Sequence, residues 1–107
     1  MVAWVYLGLA SLFEIAWAIG LKLSDGLSRP RIAAATIVAM VLAVVLLAQA
    51  QRTLPIGTAY AVWTGIGACG TVILGMVLFD EPHDAARLLC LALIVAGIVG
   101  LKLLSPS

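Results

Sequence analysis

Four apolar runs, at residues 2–21, 31–49, 56–79 and 85–104, leave this chain few ways to fold. Each is long enough, as a helix rising 1.5 Å per residue, to cross the roughly 30 Å hydrocarbon core of a bilayer. The breaks between them are short and hold most of the polar residues. Lys22, Asp25, Arg29, Pro30 and Arg31 form the first, Gln51, Arg52 and Pro55 the second, and Asp80, Glu81, Pro82, His83, Asp84 and Arg87 the third. None is long enough to fold as a domain. The composition agrees: 64% of the 107 residues are hydrophobic and 10% charged, where soluble domains are about half apolar and a quarter charged. The sequence predicts an all-α membrane protein, a single four-helix transmembrane domain over residues 1–107, set in the cell membrane as a multi-pass protein.

The first run could instead be read as a signal peptide, because Ala16-Trp17-Ala18 resembles an A-x-A cleavage site. No Lys or Arg precedes it, and Glu14 interrupts its apolar core, so a membrane span is the better reading. Glu14 is the charged side chain at the middle of that span. A carboxyl at such depth is costly without a partner, which makes it a functional-site candidate by default. The chemistry it suggests is exchange of a proton for a cation.

Other titratable and thiol groups carry less. Cys69 and Cys90 lie inside the third and fourth runs without CxxC spacing and are expected as small apolar residues in helix contacts. His83 stands among acids in a turn with no second His or Cys near it, so a solvated loop histidine is expected there and a metal site is not. Nothing in the sequence calls for a cofactor, a metal, an enzymatic mechanism or a nucleic acid.

With four spans, Arg52 and Lys102 fall on one side of the membrane and Lys22, Arg29, Arg31 and Arg87 on the other. Four against two is a weak positive-inside bias that permits insertion in both orientations. Transporters usually hold substrate between two repeats that rock against each other, and this chain has no convincing internal repeat. The echo of Gly20-Leu21-Lys22-Leu23 in Gly100-Leu101-Lys102-Leu103 reads as two snorkelling lysines at helix ends. A pathway with two halves therefore requires two chains, and an antiparallel pair supplies an inverted repeat from identical subunits.

Several residues could form a site around the acid. Glu14 and Trp17 share a helix face, which Leu7, Ala10, Ser11, Ala18 and Leu21 extend. The third run repeats that spacing with Tyr60 and Trp63. Packing or interfacial anchoring is the competing explanation for these aromatics, and it suits Trp4 and Tyr6 near a helix end. Trp63 lies deeper, where its indole N–H requires a partner; a site role and a packing role both remain open for Tyr60 and Trp63. The same run is rich in small residues. Gly57, Ala61 and Gly65 recur every four residues, as do Gly67, Thr71 and Gly75, a pattern of close helix contact. Gly65 and Gly67 also mark a point where the helix could bend. In the fourth run Ala92, Ala96 and Gly100 make such a row with Gly97 beside it. That helix carries no binding group and is assigned to dimer contact.

Two carboxylates facing one cavity would repel each other, and their titration would belong to the pair. A cation that displaces protons from this pair, and is displaced by them in turn, gives proton-coupled antiport. The requirement is mutual exclusion of protons and substrate.

Across Phe13-Glu14-Ile15-Ala16-Trp17-Ala18, and again from Leu54 through Pro55, Ile56, Gly57, Thr58, Ala59, Tyr60, Ala61, Val62, Trp63, Thr64, Gly65, Ile66 and Gly67 to Ala68, the chain resembles the small multidrug resistance (SMR) family. The likeness covers essentially the whole chain, including the Gly97-x-x-Gly100-Leu101-Lys102 ending. Trp17 and Thr64 favour the family's guanidinium exporter branch over its polyaromatic-cation branch. The resemblance implies an antiparallel, dual-topology homodimer that exports guanidinium in exchange for protons. Glu14 would bind substrate and proton, Trp17 and Trp63 would line the pocket with Ser11, and Tyr60 would hydrogen-bond and help gate it. One position departs. Where the branch usually has a serine that hydrogen-bonds the central glutamate, this chain has Ala43. Loss of that hydroxyl removes a donor from Glu14 and could loosen selection. Two alternatives therefore stand beside the leading expectation: an efflux pump for broader quaternary ammonium or substituted-guanidinium cations, and one subunit of a heterodimeric pair. A non-transporting membrane subunit, whose Glu14 only joins helices, is the reading from a different class.

Overall fold

A computed structural model describes residues 2–104. It holds α1 (Val2–Leu23), α2 (Pro30–Ala50), α3 (Ile56–Leu78) and α4 (Ala85–Leu104). All four are long and apolar enough to cross a membrane. Helices are the natural outcome for such segments, since lipid offers no partner to an unpaired backbone N–H or C=O.

The turns are set by local chemistry. After α1, the fully buried Ser24 donates its hydroxyl to the Leu21 carbonyl at 3.0 Å and accepts the Leu27 N–H at 2.9 Å. The Ser24 carbonyl in turn accepts the N–H groups of Ser28 and Arg29. To make this closure Asp25, Gly26 and Leu27 all take left-handed backbone angles, φ 53°, 72° and 70°. Only glycine adopts those without strain. Pro30 then occupies the first turn of α2, where a missing N–H costs nothing. After α3 the Gly75 carbonyl accepts both the Phe79 and Glu81 N–H groups, with Asp80 left-handed between them. Arg87 falls in the first turn of α4 and pairs with Asp84 at 3.0 Å.

The bundle is flattened, with Cα extents of 43 × 34 × 16 Å. α1 packs most extensively on α2 and also on α3, while the backbone of α4 approaches α3 alone. α3 is thus sandwiched, and its two buried faces are opposite. Trp63, Gly67 and Gly70 meet Ala10, Glu14 and Ile15 of α1. On the far side Gly65 lies against Ile94 and Ile98 of α4, and the Cys69 thiol donates to the Leu91 carbonyl at 3.9 Å. Between α1 and α2 the close approach is Gly20 against Thr36, whose hydroxyl is returned to the Ile32 carbonyl.

The apolar core gathers toward the turn at 51–55, from Leu7 and Ala10 of α1, Ala43, Leu47 and Ala50 of α2, Leu54, and Ala59, Val62 and Trp63 of α3. Large side chains elsewhere, such as Leu93 and Val77, point outward. On α4 only Leu91 is buried among the described residues. Cys90, expected in a helix contact, is instead exposed; it lies one residue off the seam that Leu91 fills.

Candidate functional site

Glu14 sits in the body of α1, with its carboxyl laid across the bare Cα of Gly67. A Cβ at residue 67 would overlap that carboxyl and stand 2.9 Å from its Cγ, so the absence of a side chain there is what gives the acid its seat. Its Oε1 is wholly shielded and has no hydrogen-bond partner among the described residues. The indole Nε1 of Trp17, one turn further along α1, is shielded and unpartnered in the same way. An unspent carboxylate acceptor is what a cation-binding site would present, since buried polar groups are otherwise hydrogen-bonded, and the Trp17 N–H is a donor that can serve a carboxylate but not a cation.

The other expected residues divide into two groups. Trp63 is 9% exposed, and its indole N–H donates to the Ala10 carbonyl at 3.2 Å. In a helix that carbonyl also accepts the N–H of residue 14. Trp63 therefore fastens α3 to the very turn of α1 that carries the acid, and its depth-imposed need for a partner is met by backbone. Tyr60, one turn earlier, is 55% exposed, its ring 5.7 Å from that of Trp63 and tilted by 56°. Ser11 is fully buried and spends its hydroxyl proton on the Leu7 carbonyl at 2.8 Å, which leaves only acceptor capacity. Ala43 is fully buried in the apolar core and offers no polar atom.

Gly65 and Gly67 both serve close packing, against Ile98 and Glu14 respectively, and α3 runs through them as one helix. Ala92, Ala96 and Gly97 stand exposed on the outside of α4; a Cβ built on Gly97 or Gly100 meets no atom within 4 Å. His83 is exposed in the turn before α4.

Gly70, one of the small residues of the third run, receives Ile15 of α1 beside the Glu14 seat, a placement that its spacing of three from Gly67 could have signalled. Trp4 was expected as an interfacial anchor and Lys22 and Lys102 as snorkelling lysines at helix ends, with no partners assigned to them. The Lys102 ammonium in fact lies 4.4 Å from the Trp4 ring centre, and that of Lys22 lies 5.1 Å from Phe79. These contacts link α4 to α1 and α1 to α3 at opposite membrane faces.

Residues 2–94 match the family model for the Small Multidrug Resistance protein. A guanidinium exporter of Yersinia pseudotuberculosis serotype I (strain IP32953) is 59% identical over 103 residues, covering 96% of this chain and 99% of the relative. Guanidinium exporters of Citrobacter freundii and Salmonella typhimurium are each 54% identical over 101 residues, covering 94% of this chain and 96% of theirs. A matched model over most of the length, relatives matched nearly end to end and four spanning helices lead to one conclusion: the chain is a multi-pass membrane protein belonging to the small multidrug resistance family.

Proposed function

We propose that the chain is a proton-coupled exporter of guanidinium, working as an antiparallel pair of identical subunits whose two Glu14 side chains face one cavity. The observation that carries this reading is the shielded, unpartnered Glu14 Oε1 in the middle of a membrane span, with the unpartnered Trp17 N–H one turn away. Guanidinium is planar, offers forked donors to a carboxylate and stacks on aromatic faces. Trp17, Tyr60 and Trp63 supply such faces. Protonation of Glu14 removes the charge that holds the cation, so proton and guanidinium exclude each other and each drives the other's release. The flattened shape, only 16 Å in its shortest Cα extent, supports pairing, because so thin a body has little room to enclose a cavity by itself. The small-residue row of Ala92, Ala96, Gly97 and Gly100 stands open as a contact for the second copy. Relatives named for guanidinium export support the choice of substrate.

Ala43 favours a second reading: export of bulkier substituted guanidines or quaternary ammoniums, or service as one half of a heterodimer, because no hydroxyl on α2 fixes the carboxyl. Purified protein in liposomes separates these. Guanidinium-driven proton movement is expected from the chain alone and is expected to vanish in Glu14→Gln while the dimer persists. Surviving proton-coupled transport in that variant would refute the central role of the acid. Transport of quaternary ammoniums in place of guanidinium selects the broader pump, and activity only with a co-expressed partner selects the heterodimer.

A further inference from the structure

Three hydroxyl side chains are buried among the described residues, those of Ser11, Ser24 and Thr36. Ser24 closes the turn after α1, and Thr36 lies against Gly20 with its proton on the Ile32 carbonyl. Ser11 alone stands within one turn of Glu14, three residues before it on the same face of α1.

Side chains of an α-helix lean toward its N-terminus, so Glu14 reaches back over the turn that carries Ser11. α3 covers that turn, with the Trp63 indole donating to the Ala10 carbonyl and the Glu14 carboxyl resting on Gly67. The fully buried Ser11 and the shielded Glu14 Oε1 thus share one α1–α3 contact. The Ser11 hydroxyl donates to the Leu7 carbonyl at 2.8 Å. That carbonyl also accepts the N–H of residue 11 in the helix ladder, so withdrawing the hydroxyl orphans nothing. Glu14 Oε1, in contrast, has no partner among the described residues. A neutral hydrogen bond that can be given up stands one turn from an acceptor that lacks one. A bond to an ionised carboxylate is roughly twice as strong as a neutral one, so the charge on Glu14 decides which acceptor the hydroxyl serves.

We infer that Ser11 is a positioning residue of the site, its O–H turning from the Leu7 carbonyl to the Glu14 carboxylate when the acid is ionised and returning when the acid is protonated. The serine keeps its proton throughout; only the acceptor changes. The bond steadies the carboxylate on Gly67 and occupies a single lone pair, which leaves both oxygens able to receive a forked cation. α1 thereby supplies from its own face the hydroxyl that α2, with Ala43 in the core, does not. The effect on binding rests on the proposed reading of Glu14 as the acid that takes proton and cation in turn; the hydrogen bond itself does not.

Infrared spectroscopy of the full chain in bilayers, without guanidinium, reads that bond. At alkaline pH the Glu14 carboxylate band is the one that Glu14→Gln removes. Ser11→Ala should shift the band, and Ser11→Cys, with its weaker S–H donor, should place it in between. In calorimetric titration, guanidinium affinity should fall roughly threefold to tenfold in Ser11→Ala, the surplus of a charge-assisted bond over the neutral one it replaces. The melting temperature of that variant should not fall, since no backbone group is orphaned and alanine favours a helix. A Glu14 band unmoved in both variants overturns the assignment, and a shift in Trp17→Phe in its place would make the indole the donor. Unchanged affinity in Ser11→Ala overturns the positioning role. A band that shifts in a chain that binds no guanidinium supports the hydrogen bond and refutes the transport reading instead.

Discussion

Gly67→Ala isolates the seat of the acid from the rest of the α1–α3 seam. The new methyl falls within the van der Waals envelope of the Glu14 carboxyl and 2.9 Å from its Cγ. Carbon–carbon contacts relax only at about 3.5–4.0 Å, so the side chain must retreat by roughly 1 Å. Overpacking costs about 1–3 kcal/mol, and alanine's helix propensity returns nearly 1 kcal/mol of it. The fold should therefore lose at most about 2 kcal/mol. Binding should suffer more. A carboxyl moved by that distance loses at least one charge-assisted hydrogen bond to a guanidinium, about 1.5–3 kcal/mol, which weakens affinity by roughly ten- to a hundredfold. Gly70→Ala is the comparison, because its methyl meets Ile15 on the same seam and leaves the carboxyl untouched. Calorimetric titration of guanidinium, with a thermal melt on each variant, reads both quantities. If the two variants melt alike and bind guanidinium alike, Gly67 is a packing glycine only and the seat has no bearing on the site.

Further outcomes follow from contacts described above. Trp63→Phe keeps the ring beside Tyr60 but removes the N–H donated to Ala10, so a stability loss of about 0.5–1.5 kcal/mol is expected in denaturation. Trp63→Gly should widen the pocket and shift transport toward bulkier aromatic cations; an unchanged substrate profile would leave Trp63 a purely structural clasp. Ser24→Ala removes the acceptor of the part-buried Leu27 N–H and should cost about 0.5–1.5 kcal/mol, read as a lowered melting temperature. Leu27→Gly should raise stability by roughly 1 kcal/mol, because Leu27 is partly exposed and carries a φ of 70° that glycine adopts freely. A fall in melting temperature would show that the Leu27 side chain contributes more than its backbone costs.

The four helices were legible because hydropathy over about 20 residues is a property of the chain alone. Helix ends were less so. The first helix runs on to Leu23 and stops where the Ser24 hydroxyl can close the turn, a feature of two hydrogen bonds that no hydropathy window registers. Glu14 was conspicuous through its depth. The identity of what lies beneath it was not, since spacing places Gly67 in a small-residue row without saying which helix that row faces. Trp63 shows the same limit from the other side. Its depth announced a need for a hydrogen-bond partner, but the Ala10 carbonyl is 53 positions away in sequence and is brought near only by the packing of α3 on α1.

The closed turn after α1 bears on the order in which the molecule is built. Only the six residues between Leu23 and Pro30 separate the two most extensively packed helices, so joining them costs little loop entropy. This hairpin can form while the later helices are still being synthesised. α3 can then dock its glycine face on a surface that already exists, and α4, whose backbone approaches α3 alone, necessarily joins last. Which way the whole chain faces in the membrane would on that account be decided early, by a pair of helices rather than by the balance of charge over all four.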